Sequence, residues 1–523
     1  MTTAIPYVNA RPHIGFALEA VIADALARYH RLKGDDVLFL TGTDENSLKN
    51  VQAAEEEGIP TADLVERNSA AFRGLGPALN LSFDDFIRTS CEERHLLGAE
   101  KLWRSIDARG DLYKRDYEGL YCVGCEQFYA ASELEDGLCP EHQTPPEPVA
   151  EGNWFFRLSR YTQALLDRIE SGDLAIVPDN RRNEVLSFIR MGLEDFRVAR
   201  SRERAHGWGI PVPGDPDQVM YVWFDALGNY ITALDYAGEG PLYRRYWTEN
   251  PNRVHVIGKG ITRFHAIYWP AMLLSAGVPL PTTIFVHGYV TVGGQKISKS
   301  LGNVIDPYAL AGEYGADALR YFLLRHIRST EDGDFTTLRF MRAYNADLAN
   351  QLGNLLNRTV SMIGKYAGGV VPEPGPAAPA DAPLVDAGRG LAGDVEAAMG
   401  AFATHRALAR VWDLVDKANK YVVVAEPWVL AKARSAGGDD GRRASERLAT
   451  VLYNLAEALR LVGLFASPFV PASAAALREQ LGVGETVAPW DQLSAWGGLR
   501  PGTEVRPDGV LFPRLEVEPG EDN

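Results

Sequence analysis

The chain has 523 residues, 46% of them hydrophobic and 23% charged, which excludes a disordered, collagen-like or coiled-coil chain and predicts about three or four domains at roughly 150 residues each. Its 53 Lys and Arg against 69 Asp and Glu give a net charge of −16, so non-specific binding of polyanions is disfavoured and a nucleic-acid partner would need a local basic face. No run of 18 apolar residues and no signal-like N-terminus occur, and four cysteines are too few for a disulfide framework; the expectation is a cytoplasmic protein with no membrane contact.

The apolar residues 2–8 predict a strand, followed by a loop over 9–12 and an amphipathic helix over 17–32. Residues 37–41 predict a second strand, running into Gly42-Thr43-Asp44-Glu45, with another helix from about Asn46. Alternating strands and helices make a parallel sheet whose ligands lie beyond the C-terminal ends of its strands, and both early loops sit at that edge. Over 112–151 the helical period is lost in a stretch rich in Tyr, Gly, Cys and Pro, as in an insertion held by something other than a core. Buried strands are predicted at 220–224, 253–257 and 283–286, with helices near 226–234 and 263–275. From Phe340 the pattern is helical to about Leu481, broken by a Pro-rich loop over 371–379. Residues 498–523 predict a tail with one apolar run, 510–512. The expected divisions are 1–111 and 152–335 for the two halves of an α/β domain, 112–151 for its insertion, 336–481 for a helical domain and 482–523 for the C-terminal tail.

Three motifs carry chemistry. Cys122-x2-Cys125, thirteen residues, then Cys139-x2-His142 supplies two ligand pairs in a segment with little core. Four N/S donors so spaced suit a tetrahedral structural Zn²⁺ site with no open position; the alternative is three free thiols beside a surface histidine. Pro12-His13-Ile14-Gly15 falls where strand turns into helix. There Gly15 admits close backbone approach, the helix N-terminus offers N–H donors to phosphate, and His13 adds a hydrogen bond or a charge, although alone it is equally a turn histidine. Gly293-Gly294-Gln295-Lys296-Ile297-Ser298-Lys299-Ser300 joins a glycine pair, expected as a mobile hinge, to two lysines able to bracket a triphosphate. Standing alone it is a solvated basic loop.

Together these segments resemble a class I aminoacyl-tRNA synthetase, and in detail the methionyl-tRNA synthetase family, over nearly the whole chain. His13-Ile14-Gly15 is similar to the family's first ATP motif and residues 296–300 to its second. The resemblance implies ATP, with Mg²⁺, bound by His13, Gly15, Gly258, Lys259, Lys296 and Lys299, and His13, Lys296, Lys299 and Arg200 as catalytic groups. It implies a methionine pocket of Ala4, Ile5, Tyr7, Asp44, Trp223, Ala226, Leu227, Tyr230, Ile261 and His265. Asp44 would hold the ammonium while Tyr7, Trp223 and His265 enclose the thioether; from the residues alone, Trp223 and Tyr230 say core packing. It implies anticodon reading by Asn354 and Arg358, four apart on one helical face, and by Trp428. The implied fold is a Rossmann-like doubly wound parallel sheet split by a zinc-binding insertion and followed by an α-helical anticodon-binding bundle. The implied activity is ATP-dependent ligation of L-methionine to its tRNA through methionyl-adenylate. The likeness is to the family's shorter form, with no appended C-terminal module, which implies a monomer.

Four departures fall near the nucleotide. Phe16 stands in place of the motif's second histidine, Asn46-Ser47 where His-Gly is usual, Gly260 where an acidic residue is usual and Ala199 where a serine is common. A lost charged hydrogen bond to a phosphate costs about 1.5–3 kcal/mol, so Phe16 alone slows activation without abolishing it. Two further readings stay open: a specialised second copy, escaping an inhibitor or serving a biosynthetic pathway, and a weakly catalytic tRNA- or methionine-binding regulator.

Overall fold

The computed structural model describes residues 1–124, 127–141, 143–297, 302–484 and 488–516. The chain folds as two compact units, residues 1–19, 38–76 and 82–287 in the first and 20–37, 77–81 and 288–523 in the second.

The first unit is built on a six-stranded sheet, numbered here β1 (Thr2–Thr3), β2 (Leu40–Thr43), β3 (Asp85–Arg88), β4 (Ala175–Val177), β5 (Val254–Gly258) and β6 (Thr283–His287). Every pairing is parallel and the order is β3-β2-β1-β5-β6-β4. The winding reverses between β1 and β5, and at such a switch point the loops leave in opposite directions and open a crevice. Three helices matter to the site: α1 (Ile14–Leu32), α2 (Leu48–Glu57) and α3 (Val222–Thr232). Trp103, Phe156, Phe224 and Trp269 are fully buried in the main core around the sheet.

Several elements differ from expectation. β1 keeps only two of the seven residues predicted: the Ala4 amide still donates to Val256 O at 3.1 Å, but Pro6 has no N–H, and Tyr7 rejoins β2's end through a single bridge to Asp44. β2 starts late because the Asp84 carboxylate takes the Phe39 amide at 2.6 Å. The strand expected at 220–224 ends at Met220, in a separate antiparallel sheet, and α3 begins at Val222. A short apolar run does not distinguish strand from buried helix; here the amides of Phe224 and Asp225 turn back to Tyr221 O at 2.8 and 3.3 Å. The 112–151 stretch is held by an antiparallel ladder, Leu112↔Phe156 through Tyr121↔Glu147, which runs past residue 151.

In the second unit the helices used below are α4 (Asn354–Ala367), α5 (Thr404–Ala425), α6 (Pro427–Ala433) and α7 (Gly438–Ala466). By length and composition α7 could cross a membrane, but it is buried as the core helix of the bundle. The expected tail is pinned rather than loose. Glu457 of α7, fully buried and paired with Arg460 at 2.7 Å, accepts the amides of Gly497, Gly498 and Leu499. Val371 and Val505 amides cross-bond this segment to the Pro-rich loop, and Asn345 holds Leu515 through both its amide atoms. The glycine pair expected as a mobile hinge is a two-residue hairpin turn: Gly293 and Gly294 take φ of +60° and +75° between the paired residues Val292 and Gln295.

Candidate active site

At the switch point the loop leaving β1 delivers His13 to the start of α1. The Gly15 amide donates to His13 Nδ1 at 3.0 Å, which leaves the ring proton on Nε2. Burial pushes the imidazole from its usual 6.5 down to about 4, so at neutral pH His13 is an uncharged donor. Phe16 does not take up the missing histidine's role. Its ring lies 4.4 Å from that of His13 and 5.2 Å, edge-on, from Phe72, in a cluster with Val8, Val65 and Phe86. It backs His13 with packing instead of adding a second donor. Across the crevice β5 ends at Gly258, followed by a single turn over Lys259–Ile261 that the Thr262 hydroxyl closes on Lys259 O at 2.8 Å. Gly260 in that turn is exposed.

The expected methionine-pocket residues of the first unit gather between the ends of β1, β2 and β5 and the face of α3. Asp44 is buried just past β2, with its amide on Pro6 O at 2.8 Å. Trp223 stacks on Phe264 at 3.7 Å and 5°, with Tyr7 and His265 edge-on to it at 6.2 and 6.5 Å. Ala226, Leu227, Tyr230 and His265 are buried, while Tyr7 and Ile261 remain partly exposed. His265 Nδ1 faces Ile261 O at 3.0 Å, so it carries the proton, and Nε2 accepts from the Tyr230 hydroxyl at 2.7 Å. Burial lowers His265 to about 4 and raises the Tyr230 phenol well above its ordinary value. The wall is therefore neutral and aromatic, the chemistry that suits a polarisable thioether. Trp223 and Tyr230, which sequence alone assigns to packing, are packed here, Trp223 on Phe264 and Tyr230 hydrogen-bonded to His265.

Sequence missed the groups that hold this wall. Glu19 of α1 accepts the Ala4 amide at 2.9 Å and faces His287 Nε2 at 2.8 Å, tying the loop after β1 to the end of β6. Buried Glu45 accepts from Thr43 and Arg88 at 2.9 and 2.7 Å. Asn46 donates to Asp225 of α3 at 2.7 Å, and Ser47 caps α2 by accepting the Lys49 amide. The Glu19–His287 and Asn46–Asp225 pairs, 268 and 179 residues apart, follow from no spacing rule. Arg200, on the strand Ala199–Ser201, is buried with its guanidinium 5.5 Å from the Tyr221 ring, and Ala199 is buried beside it.

In the second unit Lys296 is exposed on the hairpin strand, its carbonyl held by Asn303 at 3.1 Å; Lys299 lies outside the described residues. Asn354 and Arg358 share a face of α4, Arg358 Nε reaching Asn354 O at 3.3 Å while a terminal nitrogen donates to Asn419 of α5. Trp428 on α6 is 49% exposed, next to Val423, Val424 and Val429, which sequence did not single out. Of the expected zinc ligands, Cys122 and Cys139 are buried in one small cluster with Tyr129 and Leu134; Cys125 and His142 lie outside the described residues. Among the described residues no three such donors converge.

A doubly wound parallel sheet with a His-x-Gly helix start at its switch point, followed along the chain by a helical bundle, is the architecture of a class I aminoacyl-tRNA synthetase. Residues 1–146 and 132–360 match the family model for tRNA synthetases class I (M), and 371–522 that for the anticodon binding domain of methionyl tRNA ligase. The chain is 45% identical to the methionine–tRNA ligase of Brucella suis biovar 1 over 527 residues, covering 100% of this chain and 99% of the relative. It is 45% identical to that of Mycobacterium tuberculosis over 523 residues, covering 99% and 98%. The solved methionyl-tRNA synthetase of Mycobacterium tuberculosis in complex with methionyl-adenylate superposes with a TM-score of 0.92 at 44% identity, over 98% of this chain and 99% of that one. The chain belongs to the methionine–tRNA ligase family.

Proposed function

We propose that the chain activates L-methionine with ATP, releasing diphosphate, and then transfers the methionyl group to the 3′ end of methionine-accepting tRNA, as a monomer in the cytoplasm. One observation carries the reading: a helix start presenting a neutral imidazole donor and an aromatic-walled pocket with a buried carboxylate meet at one switch point.

In the first step the methionine carboxylate attacks the α-phosphate of ATP and diphosphate leaves. No protein nucleophile is required; the side chains align the reactants and stabilise the charge that develops. Asp44 takes the ammonium, and Trp223, Tyr230 and His265 enclose the side chain. His13 donates from Nε2 to phosphate, Gly15 and Gly258 give the nucleotide backbone clearance, and Lys259, Lys296 and Lys299 neutralise the triphosphate, assisted by Arg200. Mg²⁺ bound with ATP would supply further charge neutralisation. In the second step a ribose hydroxyl attacks the adenylate carbonyl and AMP leaves. Asn354 and Arg358 offer donors to base edges, and the half-exposed Trp428 offers a stacking face.

Cys122, Cys125, Cys139 and His142 would hold a structural Zn²⁺; burial of Cys122 and Cys139 in one cluster supports this. The packed and hydrogen-bonded settings of Phe16 and Asn46 favour a working ligase over an eroded copy. Charging of methionine tRNA with labelled methionine, dependent on ATP, tests the proposal; a tRNA that stays uncharged would overturn it.

A further inference from the structure

Asn46 replaces a residue expected near the nucleotide, yet its side chain turns elsewhere. It is 7% exposed, and its Nδ2 donates to Asp225 Oδ2 at 2.7 Å and to Thr89 O at 3.2 Å. Asp225 is fully buried in α3, between Trp223 on one side in sequence and Ala226, Leu227 and Tyr230 on the other. Asn46 itself follows Asp44 by two residues in a loop with little freedom. The Glu45 amide donates to Thr89 Oγ1 at 2.8 Å, and Asn50 donates to the carbonyls of both Asp44 and Glu45 at 3.2 and 2.9 Å. One buried amide thus joins the loop that presents the ammonium-binding carboxylate to the helix that forms the side-chain wall.

We infer that Asn46 is a positioning residue that sets the span between Asp44 and α3, and through it selects amino acids by side-chain length. The inference rests on the methionine-activating reading above. A directional N–H···O bond between two buried groups holds its length more tightly than apolar packing, because breaking it takes a hydrogen bond from a buried carboxylate where no bulk water replaces it. A rigid span discriminates a side chain one atom too short, whereas a loosened one closes on it.

The test is methionine-dependent exchange of labelled diphosphate into ATP by Asn46→Asp, Asp225→Asn and the double exchange. Asn46→Asp sets two carboxylates against each other. It is expected to raise KM for methionine about tenfold, the scale of one lost charged hydrogen bond, while KM for ATP stays within about twofold. Its preference for methionine over norvaline, one chain atom shorter, is expected to fall. Asp225→Asn is milder, since an amide oxygen still accepts. The double variant restores a donor–acceptor pair of opposite sense and recovers most of the KM and of the preference. An unchanged methionine KM, equal losses toward both substrates, or a double variant no better than Asn46→Asp overturns the inference. Native enzyme that shows no methionine-dependent exchange overturns the underlying reading instead.

Discussion

The Gly15 amide reaches His13 Nδ1 at 3.0 Å from a position where a Cβ would stand 2.8 Å from the ring's Cε1. The two residues act as one device: the amide fixes the proton on Nε2, and the missing side chain lets the ring fold back over the helix start. Gly15→Ala should push the ring off its amide and lower kcat for diphosphate exchange about 10- to 100-fold, with KM for methionine little changed. Steady-state exchange kinetics check this; an unaltered kcat would mean the tie is not used.

Two histidines make stability depend on pH in a definite direction. Burial holds His13 and His265 at about 4, against about 6.5 in an unfolded chain. Between those values the unfolded chain binds protons that the folded chain refuses. Stability is therefore full above pH 6.5 and is lost as pH falls toward 4, at up to about 1.4 kcal/mol per unit for each group. Urea titrations should give a midpoint that falls from pH 6.5 to 4.5, and the exchange rate should show no inflection from His13 near pH 6.5.

Trp428 is half-exposed, and Arg358 is braced against Asn419. Stacking of a base on an aromatic ring contributes about 1–3 kcal/mol, so Trp428→Ala should raise KM for tRNA about 5- to 150-fold. Arg358→Lys should not preserve tRNA affinity, because the planar fork is what Asn419 orients. Aminoacylation kinetics at fixed salt measure both, and the first step, which uses no tRNA, should keep its rate.

Metal analysis of the purified protein should give about one Zn per chain, and Cys139→Ser should lower both zinc content and melting temperature. Metal-free protein with full activity would remove the zinc proposal.

What could be read in advance was what chemistry keeps local in sequence. His13-x-Gly15 is a local group at a helix start, and the β–α alternation that makes the sheet needs only neighbouring periods. The run at 220–224 reads as a strand in the sequence because apolar residues in a row carry no period; only the turn at Tyr221 decides for helix. The groups that hold the pocket were invisible for a different reason: Asn46 meets Asp225 across 179 residues and Glu19 meets His287 across 268. Such pairs exist only once the sheet has brought its strand ends together. The net charge of −16 is a weak guide, since it sums over a surface of which the residues proposed to read tRNA are a small part.

The central claim is that this site, with Phe16, Asn46, Gly260 and Ala199 in it, still activates methionine. Exchange of labelled diphosphate into ATP by the purified protein tests that most directly. The account predicts exchange that requires methionine and falls to background in Lys296→Ala; exchange that is absent, or equally fast without methionine, would contradict it.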